Sequence, residues 1–325
     1  MKAAVFLEKE KIEISDDYPK PIPGPKEVLI KVNLCGICGT DIKNYYHQIY
    51  QTPLVMGHEF AGVIVEVGSE VTKFKVGERA TGVNVLGSDY NDMRRIGIFT
   101  DGAFAEYVKI HEDFAFTFPD SISMETIAMV ESYAVAIRGI RWSKIDPTKS
   151  VIIIGAGTIG LAMLDLLKVK FPEIKVLMIE VHPFLREKAI EFGADAAVAP
   201  RKGKIRKFFK EFGESPLIFD CAGTQETVKL STEIVKQMGS IIMVGIPRGQ
   251  IVLSGLLVSL KEVGIRASIS HDREDIENTI RLINDNKLHP ERIITHYVSL
   301  DKLQENIELY KSSEPRNFIK IMVRI

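Results

Sequence analysis

The stretch Val151-Ile152-Ile153-Ile154-Gly155-Ala156-Gly157-Thr158-Ile159-Gly160 decides the fold. Four apolar residues in a row predict a strand buried on both faces. The G-x-G-x-x-G pattern follows, and a helix-like segment then runs from Thr158 to Lys170. Strand, glycine turn and helix in that order form the context of a dinucleotide-binding turn. The first glycine allows the tight turn, the second lets a pyrophosphate approach the backbone, and the third lets helix and strand pack closely. The helix N-terminus then offers free N–H groups to phosphate. Thr158 and Ile159 sit in that first turn. Glu180 ends the next strand, twenty residues after Gly160. A carboxylate there accepts from adenosine ribose hydroxyls and repels a 2′-phosphate, so NAD is favoured over NADP.

Downstream of this turn the pattern alternates. Strands are expected at 176–179, 217–220 and 241–245, and a helix at 184–192 ending at Gly193. Such alternation predicts a doubly wound parallel sheet. Upstream, residues 1 to about 118 read as strands and turns, with 28–32 and 61–68 rich in β-formers. Glycines 57, 62, 68 and 77 suit a small, tightly turned β-domain. The last stretch holds a helix-like 301–311 and a strand-like 318–325.

The chain has 325 residues, which at ~150 residues per domain predicts two domains. It carries 42 basic and 43 acidic residues, for a net charge of −1. That balance gives no drive for sequence-independent nucleic-acid binding. Only three cysteines occur, at 35, 38 and 221, so a disulfide scaffold is not expected and a reducing cytoplasm is. The opening apolar run is too short for a signal peptide and later ones too short for a membrane span.

Cys35-Gly36-Ile37-Cys38-Gly39-Thr40-Asp41 is followed by Gly57-His58-Glu59. A Cys-x-x-Cys can be half a zinc site, a redox pair or coincidence. No second cysteine pair exists, so a four-cysteine zinc site is excluded. A thioredoxin-like pair belongs in a βαβ pattern, whereas this one follows a β-rich run. A mixed site of Cys38, His58 and a carboxylate remains; catalytic zinc takes three protein ligands and keeps one position open.

Taken together, Gly36–Asp41, Gly57-His58-Glu59-x-x-Gly62-x5-Gly68, Asp101-Gly102-Ala103-Phe104-Ala105-Glu106-Tyr107, the glycine turn, Val244-Gly245-Ile246-Pro247 and Lys261-Glu262 resemble the medium-chain zinc-dependent alcohol dehydrogenase family over nearly the whole chain. The resemblance implies an α/β protein, with a GroES-like β-rich catalytic domain (1–130), a Rossmann domain binding NAD (131–270) and a C-terminal segment completing the catalytic domain (271–325). It places the active site in the cleft between them.

Residue by residue, the resemblance makes Cys38 and His58 zinc ligands. Glu59 becomes the acidic residue beside the metal, able to approach it as coordination changes. Glu131 is the candidate remaining ligand, although Ser132 stands where the polyol branch usually has proline. Cys35 has no ligand counterpart and is expected to be a buried thiol. The family mechanism gives Thr40 the substrate hydroxyl proton, while zinc stabilises the alkoxide and hydride passes to nicotinamide. Asp41 is expected to hydrogen-bond the free ring nitrogen of His58. Lys43 stands where the polyol branch often has a relay histidine; it would relay with a strongly lowered pKa, or hold a ribose hydroxyl, and His47 is the alternative. Val244, Gly245 and Ile246 are expected to line the nicotinamide pocket. Leu185 occupies the usual place of a ribose-binding base, with Arg186 next to it. The interval between Ala80 and Asp101 has no cysteine and is short, so one catalytic zinc per subunit and no structural zinc is expected.

The expected substrate is a small-molecule alcohol, with a polyol or sugar favoured by Glu131, Gly39 and the missing lobe; a simple secondary alcohol is the alternative. A metal-free quinone reductase-like relative, or a non-catalytic nucleotide-binding one, would lack the set Cys38, His58 and Glu131. No nucleic-acid or membrane partner is expected. A homo-oligomer, tetramer or dimer, is expected from family habit and from the apolar run 251–257, unless that run is core.

Overall fold

The computed structural model describes residues 1–84, 94–247, 249–312 and 316–325. The chain divides into two compact units: 1–131 with 289–314 and 320–325, and 132–288 with 315–319.

The first unit begins with Ala3–Glu8 (β1), Lys11–Ser15 (β2), Glu27–Gly36 (β3), Gly39–His47 (α1), Leu54–Val55 (β4) and Glu59–Val67 (β5). Arg79–Gly82 (β6), Tyr107–His111 (β7), Ala115–Phe118 (β8) and Met124–Ala128 (α2) follow. The long β3 is the hinge of its larger sheet, pairing antiparallel with β5 and with β7. It alternates buried and exposed positions through Lys31 and Asn33, as a strand with one covered face does. Its register against β5 sets Gly36 opposite Glu59.

The second unit begins within Val130–Arg141 (α3) and alternates strand and helix from Val151–Ile154 (β9). Next come Thr158–Lys170 (α4), Val176–Ile179 (β10), Pro183–Glu191 (α5), Ala196–Val198 (β11), Lys202–Phe212 (α6) and Leu217–Asp220 (β12). Gln225–Ile234 (α7), Ser240–Met243 (β13), Gly255–Lys261 (α8), Gly264–Ala267 (β14) and Arg273–Asn284 (α9) complete it. The sheet order is β11-β10-β9-β12-β13-β14, and every pairing is parallel. The order reverses beside β9, the position from which the glycine turn departs, which is the switch point of a doubly wound sheet. All four residues of β9 are buried, and Ile152 and Ile154 pack with Leu177, Ile179, Ile218 and Phe208.

The chain then re-enters the first unit with Ile294–Ser299 (β15), Leu303–Ser312 (α10) and Lys320–Arg324 (β16). Here the structure differs from the expected boundary at 270: residues 271–288 group with the dinucleotide unit. Charge explains it. Arg138 of α3 meets Asp272 at 2.6 Å and Arg141 Nε meets Asp275 at 3.0 Å, tying the start of α9 to α3. The run 251–257 is not core either. It enters α8, which has no buried residue, with Val252 74% and Leu256 72% exposed. The strands β1 and β2 had no counterpart in the sequence reading. The interval expected to lack a structural zinc includes residues 85–93, outside the described residues. No helix among the described residues is long and apolar enough to cross a membrane.

Asp195 pins this sheet's second strand. It accepts from Lys168 Nζ of α4 (2.8 Å), Lys175 Nζ (3.0 Å) and the Val176 N–H (2.9 Å). Burial alone would raise its carboxyl, but the two ammonium groups and the N–H hold it below the usual carboxylate range. A depressed folded-state pKa contributes stability above the unfolded value near ~3.9, lost as pH falls through the folded value. Asp195→Asn is therefore expected to destabilise by about 1–2 kcal/mol at neutral pH. Denaturant titrations should show that deficit shrinking as pH falls below the usual carboxylate range; a deficit independent of pH would refute the ion-pair account.

Candidate functional site

The ends of two paired strands, β3 and β5, assemble a largely buried donor cluster in the first unit. Cys38 lies two residues beyond the end of β3 and is the N-cap of α1, with extended backbone. Its N–H donates to Asp41 Oδ2 at 2.9 Å, fixing the first turn of the helix. His58 and Glu59 lie at the start of β5, which the β3 register brings alongside. Both are buried, at 3% and 2% exposed. One donor atom from each of Cys38, His58 and Glu59 lies within 4.8 Å of the others. A thiolate, an imidazole and a carboxylate gathered in a buried site suit zinc.

The expected Asp41–His58 hydrogen bond is not formed. Asp41 Oδ1 stands 3.6 Å from His58 Nδ1, in ion-pair rather than hydrogen-bond range. The reason is competition: Asp41 also accepts from the Cys38 N–H and, at 3.3 Å, from the Gly57 N–H. Glu131, in the first turn of α3, lies outside the 4.8 Å group, yet its charge acts on Cys38. Burial pushes the Cys38 thiol up to about 11; Lys320 opposes this, Asp41 and Glu131 add to it, and the Thr40 N–H lowers it. Thr40 thus stands at the donor set through its backbone. Lys43 is half-buried on α1, and His47 is exposed at its end. Cys35 is fully buried.

Two residues near the cluster escaped the sequence reading. Tyr50 has a phenol raised by burial, then by the Asp41 and Cys38 charges. Lys320, 1% exposed, forms an ion pair with Glu59 Oε2 and donates to the Ile37 carbonyl at 3.1 Å. Burial pulls its ammonium down, while Cys38, Asp41 and Cys35 pull it back up. The signal was a single cation inside the otherwise apolar Phe318–Val323.

In the second unit the glycine turn has the geometry its spacing predicts. Gly155 has φ +95°. A methyl on Gly160 would fall 1.9 Å from the Gly155 carbonyl, whereas one on Gly157, the N-cap of α4, would meet nothing within 4 Å. Strand contact thus requires Gly160, and backbone access is left at Gly157. Thr158 and Ile159 open α4. Glu180 is 8% exposed; its Oε2 accepts from the Ala156 N–H (2.8 Å) and its Oε1 from the His182 N–H (2.9 Å). It braces the turn and is no solvated strand end. Arg186 donates to the Glu180 and Val181 carbonyls at 2.8 and 2.7 Å, and Leu185 is buried. Val244 is buried and Ile246 exposed. Asp220, also missed, ends β12: its Oδ1 accepts from the Ala222 and Gly223 N–H groups, and its carbonyl from Val244 and Gly245.

Residues 24–120 match the alcohol dehydrogenase GroES-like domain, and residues 158–285 match the zinc-binding dehydrogenase family. D-xylulose reductase of Saccharomyces cerevisiae is 27% identical, the alignment covering 98% of this chain and 97% of that protein. Sorbitol dehydrogenase of Bacillus subtilis is 28% identical over 95% of this chain and 93% of that one. The crystal structure of 2R,3R-butanediol dehydrogenase from Bacillus subtilis superposes with a TM-score of 0.87 at 26% identity, covering 100% of this chain and 99% of that one. With a GroES-like unit, a parallel dinucleotide-type sheet and matches to both family domains, the chain belongs to the zinc-dependent medium-chain alcohol dehydrogenases and is a dehydrogenase of their sorbitol and polyol branch.

Proposed function

We propose that this dehydrogenase moves a hydride between a secondary hydroxyl of a polyol or sugar and NAD, using one zinc held by Cys38, His58 and Glu131, with Glu59 alongside. The observation that carries the metal is the convergence of half-buried Cys38 with buried His58 and Glu59. When bound, zinc supplies Lewis acidity that lowers the pKa of a substrate hydroxyl. The chain's own groups do the rest. Cys38, just beyond β3, and His58, just before β5, would hold the metal, and Asp41, 3.6 Å from His58 Nδ1, would orient its ring. Thr40, whose N–H bonds the Cys38 sulfur, takes the substrate hydroxyl proton as it passes its own on through the nicotinamide ribose, and Lys43 on the same helix relays that proton or holds a ribose hydroxyl. A vicinal diol offers the metal two oxygens, and the relatives named for sorbitol and butanediol support that class.

For the cofactor, Gly155, Gly157 and Gly160 with Thr158 and Ile159 receive the pyrophosphate. Glu180 meets the ribose hydroxyls, Arg186 stands at the adenosine end, and Val244, Gly245 and Ile246 receive the nicotinamide. The three free thiols support work in a reducing cytoplasm. The outer edge of β14, which pairs with no strand among the described residues, together with exposed Val252, Leu256 and Leu260 around α8, supports association of copies through this edge, as a dimer or a tetramer.

A panel of polyols, sugars and secondary alcohols with either nicotinamide tests the reaction class, and absence of turnover with every one would refute it. Elemental analysis should give one zinc per chain. Cys38→Ser should lose the metal and at least about a hundredfold in kcat/KM while keeping its far-UV spectrum. A metal-free preparation with full activity would exclude the mechanism.

Removing the charge with Glu180→Ser should shift the kcat/KM ratio toward NADP by about tenfold, ~1.4 kcal/mol. Wild-type protein that prefers NADP would show that Glu180 does not set the choice.

Sedimentation should show a stable oligomer at micromolar concentration, and Leu256→Glu should dissociate it. A wild-type monomer would refute the edge contact.

A further inference from the structure

We propose that Lys320 is a positioning residue that holds Glu59 in reserve, so that the carboxylate is shared between a buried ammonium and the metal. This inference rests on the zinc reading above and adds a second cation to it.

The geometry begins in the sheet register. On β16, Met322 pairs with Gly36 of β3, and Gly36 pairs with Glu59 of β5. Lys320 precedes Met322 by two residues and so shares its face of the sheet. Its side chain crosses the central strand at Gly36 to reach Glu59. The passage exists because residue 36 has no side chain: a methyl there would fall 2.5 Å from Lys320 Cε and 3.1 Å from both Lys320 Nζ and Glu59 Oε2. The ammonium ends on Glu59 Oε2 and on the carbonyl of Ile37, one residue before Cys38.

Glu59 is also one of the three residues whose donor atoms lie within 4.8 Å of each other. The same carboxylate is therefore within reach of two positive charges. A buried ammonium is tolerated only when paired, and a buried carboxylate left without a cation turns to the nearest one available. With Lys320 in place, Glu59 has a resting partner away from the metal. Without it, the metal is the cation left within the cluster, and Glu59 becomes a permanent extra ligand. Lys320 thereby controls how many protein ligands the metal has, without being one.

The test uses full-length protein loaded with Co(II), whose visible spectrum reports coordination number, together with the rate of zinc loss to excess chelator. Wild type should show the strong absorption of a four-coordinate site. Lys320→Met should weaken that absorption as Glu59 adds a ligand, and should slow zinc loss about tenfold. Glu59→Gln in the Lys320→Met background should restore both. Lys320→Arg, which keeps the cation, should resemble wild type. If Lys320→Met does not fold, Lys320→Gln, which keeps a donor for the Ile37 carbonyl, should show the same weakening. A purely structural role would lower the melting temperature with no spectral change and no rescue by Glu59→Gln. Unchanged spectrum and release rate in the neutral variants, with wild type holding one metal, would overturn the proposal. Wild type holding no metal would instead refute the zinc reading itself.

Discussion

Acidic groups crowded into a buried site need positive charge, and that need organises the first unit. Cys38, Asp41, Glu59 and Glu131 act on one neighbourhood, and removing such groups from water costs several kcal/mol each unless a cation answers them. A zinc ion would supply two charges, and Lys320 supplies a third. The strand order β16-β3-β5 follows from the same demand, because only a strand beside β3 can deliver a lysine across Gly36. The first unit thus takes its candidate metal donors from early in the chain and the Lys320 counter-charge from β16.

The dinucleotide unit answers a different constraint, that of backbone contact. Gly160 lies against the Gly155 carbonyl so closely that no side chain fits, and Glu180 ties the turn to the end of β10 through two backbone N–H groups. That bracing gives Glu180 two duties. Its oxygens hold the turn through the Ala156 and His182 N–H groups, and in the proposed reading they also meet the ribose. A carboxylate already bonded to the turn is less free to rotate away from an incoming 2′-phosphate.

The two motifs were legible because each is local. The glycine turn and its flanking strand and helix are contiguous, and Cys38 and His58-Glu59 lie beside the ends of two runs that read as β-rich. Lys320 was not legible, because its meaning comes from a register between strands almost three hundred residues apart. In sequence it reads as one cation beside an apolar strand. Asp41 was legible as a neighbour of His58, but its capture by the Cys38 and Gly57 N–H groups depends on the closed shape of the turn. Likewise, the membership of 271–288 is set by Arg138 and Arg141 meeting Asp272 and Asp275, a contact that composition does not announce. The run 251–257 left two readings open in the sequence, because apolar residues in a row are compatible with a core and with a bare surface alike; the structure leaves Val252 and Leu256 exposed.

Interleaving of the chain has a consequence for biosynthesis. The second unit is complete in sequence, apart from 315–319, by Leu288, whereas β16 leaves the ribosome after every other described element. Domains generally fold as units while synthesis proceeds. For most of translation, then, Cys38, His58 and Glu59 exist without their buried cation, and metal that arrives early meets a carboxylate with no other partner. Closing β16 against β3 would convert that early grip into the mature arrangement. In the proposed reading, β16 is both a late piece of the sheet and the step that sets the ligand field, and a chain cut before Lys320 would keep Cys38, His58 and Glu59 while losing the charge that moderates them.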